Sequence, residues 1–195
     1  MAEEEGTMGK ALARVDTHAD EAAAIERLVA DGQHKAALER CARSYAAPLG
    51  RLCMALTGSQ AEAEELVQET LIAAYDGFPQ FRFEGSIRSW LFGIARRICG
   101  RHNELKNRRQ ARLRLVHDTG RGAALDDLSI ERERAERARS ALAKLKPSER
   151  EAVVLRYDAE MSFREVAHAC GVDEAAARKR VSRALSRLRE SLADV

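Results

Sequence analysis

The sequence has 195 residues, of which 45% are hydrophobic and only 5% aromatic, and its 33 basic residues nearly balance 31 acidic ones. This composition excludes a collagen-like or largely disordered chain, and its length fits two small domains. No apolar run approaches the roughly 18 residues of a spanning helix, so membrane insertion is not expected. Residues 1–10 are acidic rather than a basic segment before an apolar one, which favours a cytoplasmic location.

Charge is strongly segregated along the chain. Residues 1–70 carry 7 basic and 13 acidic side chains, whereas residues 71–122 carry 11 basic and 4 acidic ones. The last twenty residues, 176–195, are basic again. Two separate basic regions predict two places of contact with a polyanion, and the acidic first third predicts a surface that cannot touch nucleic acid.

The pattern of apolar residues predicts an all-α fold, because proline is rare and no stretch alternates apolar and polar residues as a strand would. Residues 1–20 are expected to form a disordered acidic tail. A short helix is predicted over 20–31, followed by a pair of helices over 33–57 that bend at Pro48.

Two further helices are predicted from apolar or small residues that recur at helical spacing. The first stripe comprises Ala63, Leu66, Val67, Thr70, Leu71 and Ala74, and the second comprises Ile87, Trp90, Leu91, Ile94, Ala95 and Ile98. Ser59 and Glu62 have the spacing of a capping box at the start of the first helix. Residues 81–86 are predicted to form the turn between the two helices.

The C-terminal part of the sequence predicts a helix-turn-helix. Ser148 with Glu151 and Ser162 with Glu165 have capping-box spacing; Gly171 then breaks the chain and Asp173 caps a long helix that ends near Leu192. We therefore divide the chain into an acidic extension (1–32), a first helical domain (33–104), a flexible linker (105–136) and a second helical domain (137–195).

The last helix has two distinct faces. The apolar residues Ala177, Val181, Ala184, Leu185, Leu188 and Leu192 share one arc, whereas Lys179, Ser182 and Arg183 lie opposite and Arg178 lies on a flank. A helix that reads a DNA groove needs such a division between donors and packing residues. A solvated cationic face, common on surface helices, is the alternative interpretation.

The first domain contains two further candidate surfaces. Aromatic and basic residues interleave in Phe78, Phe81, Arg82, Phe83, Arg88, Trp90, Arg96, Arg97 and Arg101, a pattern that suits single-stranded nucleic acid. The alternative is that Trp90 and the phenylalanines lie in the core, and for Trp90, which is on the apolar stripe, that alternative is favoured. The acidic stripe of Glu62, Glu64, Glu65, Gln68 and Glu69 is predicted to face outward on the preceding helix. From physics alone it forms either an ordinary solvated face or a protein contact.

Several of these segments resemble one known family. Residues 63–70 (AEELVQET) followed by FRFEGS at 81–86, Trp90-Leu91 and IAR at 94–96, then SFREVA at 162–167 and the basic helix of 178–188, resemble the extracytoplasmic-function (ECF) group of bacterial RNA polymerase sigma factors. The resemblance covers about 33–104 and 137–192. Residues 1–30 have no counterpart in it.

The resemblance implies a role for each surface. Glu64, Glu65, Leu66, Gln68 and Glu69 would bind core RNA polymerase. The set Arg82, Phe83, Arg88, Trp90, Arg96, Arg97 and Arg101 would recognise and melt the −10 element of promoter DNA, and the 81–86 loop would hold an unstacked base. Arg178, Lys179, Ser182 and Arg183 would bind the −35 element. An anti-sigma protein is a further candidate partner. Family members often carry Asn where Arg97 stands, so the base preference at that position does not transfer.

Two other function classes fit the sequence less well. A stand-alone helix-turn-helix regulator would normally dimerise and read a palindrome, and it would need no acidic face beside an aromatic and basic loop. An enzyme is disfavoured because the sequence has no P-loop, H-E-x-x-H or G-x-S-x-G motif.

No metal and no cofactor are expected. The four cysteines, Cys41, Cys53, Cys99 and Cys170, are scattered and are interpreted as buried, reduced thiols. His168 and Cys170 lie two residues apart, which on a helix directs them to different faces.

Overall fold

The computed structural model describes residues 18–114 and 130–193, and their regular structure is entirely helical, which confirms the predicted fold class. The helices are α1 (18–30), α2 (His34–Thr57), α3 (Gln60–Gly77), α4 (Ile87–Arg114), α5 (Ile130–Lys144), α6 (Pro147–Tyr157), α7 (Phe163–Cys170) and α8 (Glu174–Ala193). A short 3-10 turn, Phe78–Gln80, follows α3. Residues 1–17 of the predicted acidic tail and the central part of the predicted linker, 115–129, lie outside the described residues. Residues 18–20, also predicted as part of the disordered tail, belong to α1. Within the described residues, no helix combines the length and apolar character needed to cross a membrane.

Helix α1 confirms the short helix predicted over 20–31. It packs in the core with α2, α3 and α4, and these four helices are called the first helical group; α5 to α8 are called the C-terminal group. Its residues Ala22, Ile25 and Val29 are buried. Glu21 accepts two hydrogen bonds of 2.8 Å from the Arg40 guanidinium of α2. Further along α1, Glu26 accepts a 2.8 Å hydrogen bond from the backbone N–H of Ile87. Helix α1 therefore supplies an acceptor for an N–H in the first turn of α4, where backbone donors lack partners inside the helix.

Helix α2 is a single helix, so the predicted pair of helices over 33–57 is wrong. Pro48 lies inside the helix without dividing it. The buried side chains Cys41, Tyr45, Leu49 and Leu52 form one continuous stripe across the proline. Packing of that stripe against the core holds both halves together despite the backbone hydrogen bond that proline cannot donate.

Helix α3 begins as predicted at Ser59, whose hydroxyl accepts a hydrogen bond from the backbone N–H of Glu62. The reciprocal bond of a capping box is replaced by contacts with α4. The Glu62 carboxylate accepts a 2.6 Å bond from Lys106 Nζ and lies 3.3 Å from His102 Nε2. These contacts lower the pKa of Glu62, chiefly through the bond from Lys106. Only half of the predicted capping box therefore forms.

Helix α4 continues to Arg114, ten residues into the segment predicted as a linker. Residues 105–114 (LKNRRQARLR) lack an apolar stripe but consist mainly of strong helix formers. The bond from Lys106 to Glu62 also ties this extension to α3. Periodicity alone missed the extension because residues with high helix propensity can continue a packed helix without a buried face of their own.

The helix-turn-helix comprises α7, a turn at 171–173, and α8. The capping box of α7 is confirmed, with Ser162 and Glu165 bonded reciprocally. Gly171 ends α7 with a φ of 65°, a left-handed conformation that glycine adopts without strain. Asp173 accepts a 2.6 Å bond from the backbone N–H of Ala176, as predicted for a cap. The capping box predicted at Ser148 does not form, because α6 begins with Pro147 as its first residue and Lys146 as its N-cap.

The two helical groups share a continuous core, in which α7 packs on α4 and α6 packs on α2. Gly93 of α4 permits close approach, since a Cβ there would lie 3.3 Å from the Ala169 carbonyl oxygen. At the edge of the contact, Arg51 pairs with Asp158 at 2.9 Å. A flexible linker over 105–136 would let the two domains tumble semi-independently, but in this structure they are packed together.

Candidate functional site

Four of the five residues of the predicted acidic face of α3 are exposed, whereas Glu62 is half-buried and bonded to Lys106. Glu64, Glu65, Gln68 and Glu69 all lie at the surface. Glu69 pairs with Arg101 at 2.5 Å. Leu66, which was included in the predicted polymerase-binding set, is only 3% exposed and packs in the core. Leu66 belongs to the apolar stripe of α3, so its side chain packs in the core beneath the acidic face and is not part of the exposed surface.

Sequence reasoning missed an apolar continuation of this face. Ile72 is 63% exposed and Tyr75 is 43% exposed. Ile72 follows Glu65 by seven residues, so both side chains lie on the same side of α3. Since exposed large apolar residues beside a charged face mark contact surfaces, the seven-residue spacing could have indicated these two residues. The face therefore combines carboxylates with exposed apolar side chains.

The loop between α3 and α4 carries a cluster of aromatic rings. Phe81 is buried and its ring lies 5.1 Å from that of Trp90 and 4.6 Å from that of Phe83. Phe83 is 49% exposed and has a φ of 57°, a conformation that costs energy in a residue other than glycine. Trp90 is half-buried rather than fully in the core. The loop thus presents one ring outward on a base of packed rings, beside the exposed Arg82.

The structure divides the basic residues of this region into two sets. Arg97 and Arg101 are exposed and border a shallow cleft that also contains Trp90. Arg88 is only 5% exposed, donates a hydrogen bond to the Ala159 carbonyl oxygen and lies 3.7 Å from Glu165.

Arg96 also faces the C-terminal group. Its Nε donates a 3.1 Å bond to the Ala169 carbonyl oxygen, and its Nη1 lies 3.4 Å from Glu151. Burial raises the pKa of the Glu151 carboxyl, and the positive charge of Arg96 opposes that effect. The C-terminal group therefore covers Arg88 and Arg96 and supplies carboxylate and carbonyl oxygens to them.

The basic face of α8 has the arrangement predicted from the helical wheel. Arg178, Lys179, Ser182 and Arg183 are exposed, whereas Ala177, Val181 and Ala184 are buried against the rest of the group. Arg178 pairs with Glu174 one turn earlier. This face points away from the core and is open to a partner.

The cysteines are all buried, as predicted, and burial raises the pKa of Cys41 to about 12. The Cys53 and Cys99 sulfur atoms lie 3.4 Å apart. Among the described residues, no group of three or more His, Cys, Asp or Glu side chains could hold a metal ion.

The chain is similar to known protein families, to individual proteins and to solved structures. Residues 41–112 match the Sigma-70 region 2 family, and residues 135–188 match the Sigma-70 region 4 family. The chain is 32% identical to the ECF sigma factor EcfG of Rhodopseudomonas palustris over 144 residues, which are 72% of this chain and 76% of the relative. It is 31% identical to the ECF sigma factor SigL of Mycobacterium tuberculosis over 166 residues, 77% of this chain and 86% of the relative.

Two solved structures share the fold. CnrH, in complex with the cytosolic domain of CnrY, matches with a TM-score of 0.65 and 24% identity over 87% of this chain and 98% of its own. The sigma factor RpoE of Bartonella quintana, in complex with the anti-sigma factor NepR, matches with a TM-score of 0.57 and 26% identity over 79% of this chain and 95% of its own. With both sigma regions present in order, the chain belongs to the ECF group of RNA polymerase sigma factors, the initiation factors that direct core polymerase to promoters.

Proposed function

We propose that this sigma factor docks on core RNA polymerase through α3, opens the −10 element with the 81–86 loop and α4, and binds the −35 element with α8. The observation that carries the proposal is the presence of both sigma regions in one chain, each with an exposed face of the appropriate charge. The acidic α3 face suits a basic protein surface, and the basic α8 face suits DNA.

Run-off transcription tests this proposal. Core polymerase with this protein should give specific transcripts that core polymerase alone does not give. A stand-alone helix-turn-helix regulator, the alternative, would instead bind its site as a dimer without polymerase. The proposal is overturned if core polymerase with this protein gives no specific transcript from any promoter in a genomic library.

For the −10 element, we assign the exposed ring of Phe83 and the cleft of Trp90, Arg97 and Arg101 to the melted strand. An aromatic face can stack on an unpaired base, and arginines beside it can pair with phosphates. Arg97 is exposed and would be within reach of DNA, so the base preference at this position should be measured rather than inferred from relatives.

Arg88 and Arg96 belong to the same surface, and we propose that they join it only after the two helical groups separate. Their present partners are the oxygens of Ala159, Ala169, Glu151 and Glu165. In the packed arrangement these oxygens already pair with the two guanidinium groups. They therefore compete with a DNA phosphate for Arg88 and Arg96. Polymerase, which has separate contacts for the two groups, would supply the energy of separation.

An anti-sigma protein is the second partner we propose. A groove between α2, α3 and α5 is lined by apolar side chains that include Met54, Ala55, Val67, Leu71 and Leu142. An apolar groove between helices is a surface on which an amphipathic helix can lay its apolar face. Ala55→Glu should weaken binding of such an inhibitor while the variant still supports run-off transcription. An anti-sigma protein that inhibits the variant and the wild type equally would contradict this assignment.

We place the protein in the cytoplasm, where core polymerase and promoter DNA are found, and assign it no catalytic activity of its own. On this view it contributes contacts and the polymerase performs the chemistry.

A further inference from the structure

Arg178 differs from the other exposed basic residues of α8 because it is held from two sides. Its Cζ lies 4.3 Å from the centroid of the Phe163 ring, and its Nη2 pairs with the Glu174 carboxylate. Neither Lys179 nor Arg183 makes a ring contact, hydrogen bond or ion pair with the described residues. Of these three cations, Arg178 is therefore the one with contacts that restrain its side chain within the described residues.

The ring that supports Arg178 is itself firmly placed. Phe163 is the first residue of α7, directly after the capping box of Ser162 and Glu165. It is partly buried against the core. The Arg156 Cζ lies 5.1 Å from the centroid of the same ring, and Arg156 also donates a 2.9 Å hydrogen bond to the Met161 carbonyl oxygen. The ring is thus an anchored platform.

We infer that Phe163, together with Glu174, positions Arg178 to read one guanine in the −35 element, so that Phe163 determines sequence preference without touching DNA. The inference rests on the −35 role proposed above for α8. A free arginine loses much rotamer entropy when it forms two parallel hydrogen bonds to guanine, and a side chain already fixed loses less. Lys179 and Arg183, which have no such restraining contacts with the described residues, then contribute mainly contacts to phosphate, which favour every sequence alike.

The test measures transcription by the complete holoenzyme from promoters randomised over the −35 element. Arg178→Ala should reduce discrimination at one base pair by about 5- to 150-fold, as expected for loss of a bidentate contact. Phe163→Leu should reduce discrimination at the same base pair by about two- to fivefold, the value of an exposed cation–π contact. Phe163→Tyr, which keeps the ring, should retain the wild-type preference.

A double variant separates positioning from a general effect on packing. If Phe163 acts through Arg178, Phe163→Leu should change nothing further in a chain that already carries Arg178→Ala. Val172→Ala is the matched control, since Val172, in the turn between α7 and α8, is likewise a partly buried apolar residue that packs on the core. It should leave discrimination at that base pair unchanged.

The outcomes distinguish the inference from the function on which it rests. If Arg178→Ala changes the preference but Phe163→Leu does not, or if the two effects add, Phe163 is not a positioning residue. If Val172→Ala relaxes the same base pair, the effect of Phe163 reflects packing and the inference fails. If Arg178→Ala itself leaves preference unchanged, the proposed −35 role of this residue fails and the inference with it.

Discussion

Among single side chains, Glu21 makes the contact that depends most clearly on pH. Its hydrogen bonds from Arg40, and secondarily from Ser44, lower its pKa to about 2 from an ordinary value of 4.5. A carboxyl with a lowered pKa stabilises the folded state above its unfolded pKa, and that stabilisation is lost as the pH falls through the folded pKa. The contact of α1 with α2 should therefore weaken between about pH 4.5 and pH 2.

Thermal unfolding of Glu21→Gln measures this contribution. At pH 6 the variant should melt about 2–4 °C below the wild type, because a partly exposed ion pair in a chain of this size has an effect of that order. The difference should shrink as the pH is lowered toward 2. Glu39→Gln, a change at an exposed carboxylate of α2, should melt like the wild type at every pH. A difference for Glu21→Gln that is independent of pH would contradict the assignment.

At the level of the helix, the exposed face of α3 provides the next prediction. Reversing Glu64 and Glu65 to lysine should weaken binding to core polymerase at least tenfold, because two attractive contacts become repulsive. Helicity by circular dichroism should not change, since exposed charges away from caps contribute little to folding. Asp31→Lys with Glu39→Lys is the matched control, with the same change in net charge elsewhere on the surface.

The apolar part of the same helix face can be tested separately. Ile72→Ala should also weaken polymerase binding, by about 5- to 20-fold, if this exposed side chain is an anchor. Its effect should persist at high salt, whereas the effect of the charge reversals should diminish. Equal binding of Ile72→Ala and the wild type, measured by fluorescence titration, would confine the docking surface to the carboxylates.

Comparison of these helices with the sequence shows which features are local. Apolar periodicity was sufficient to predict α3, the start of α4 and the two faces of α8, because each depends on residues one or two turns apart. It could not predict that Glu62 would bond to Lys106 rather than complete its cap, because that choice depends on a partner 44 residues away. Pro48 was misleading for the same reason, since packing across the helix overrides a local signal.

The candidate site was predictable in its composition and not in its accessibility. Residue types indicated that Arg88, Arg96, Arg97 and Arg101 form one basic surface. Only the packed structure divides them, because the carbonyl of Ala169 and the carboxylate of Glu151 come from a helical group far along the chain.

For the molecule as a whole, the packed arrangement predicts that separating the two groups uncovers Arg88 and Arg96, the covered part of the proposed −10 surface. Gly93→Leu places a side chain where even a Cβ would lie 3.3 Å from Ala169, so the groups should move apart. The free variant should bind a single-stranded −10 oligonucleotide about tenfold more tightly, because Arg88 and Arg96 become available.

Gly100→Leu is the matched control in the same helix, since a Cβ at Gly100 meets no atom within 4 Å. It should leave both the separation of the groups, measured by small-angle scattering, and the affinity for the oligonucleotide at wild-type values. If Gly93→Leu expands the molecule without raising that affinity, the covered arginines are not part of the DNA surface.

The hydrogen bond that the backbone N–H of Ile87 donates to Glu26 sets an order of events during synthesis. The two residues are 61 positions apart, so at about 5–20 residues per second the carboxylate waits several seconds for its donor to be translated. Helix α1 is synthesised before α2, α3 and α4, and yet it can complete its contacts only after the start of α4 has followed. We therefore expect the end of the 81–86 loop to be fixed against α1 only once Ile87 has been translated.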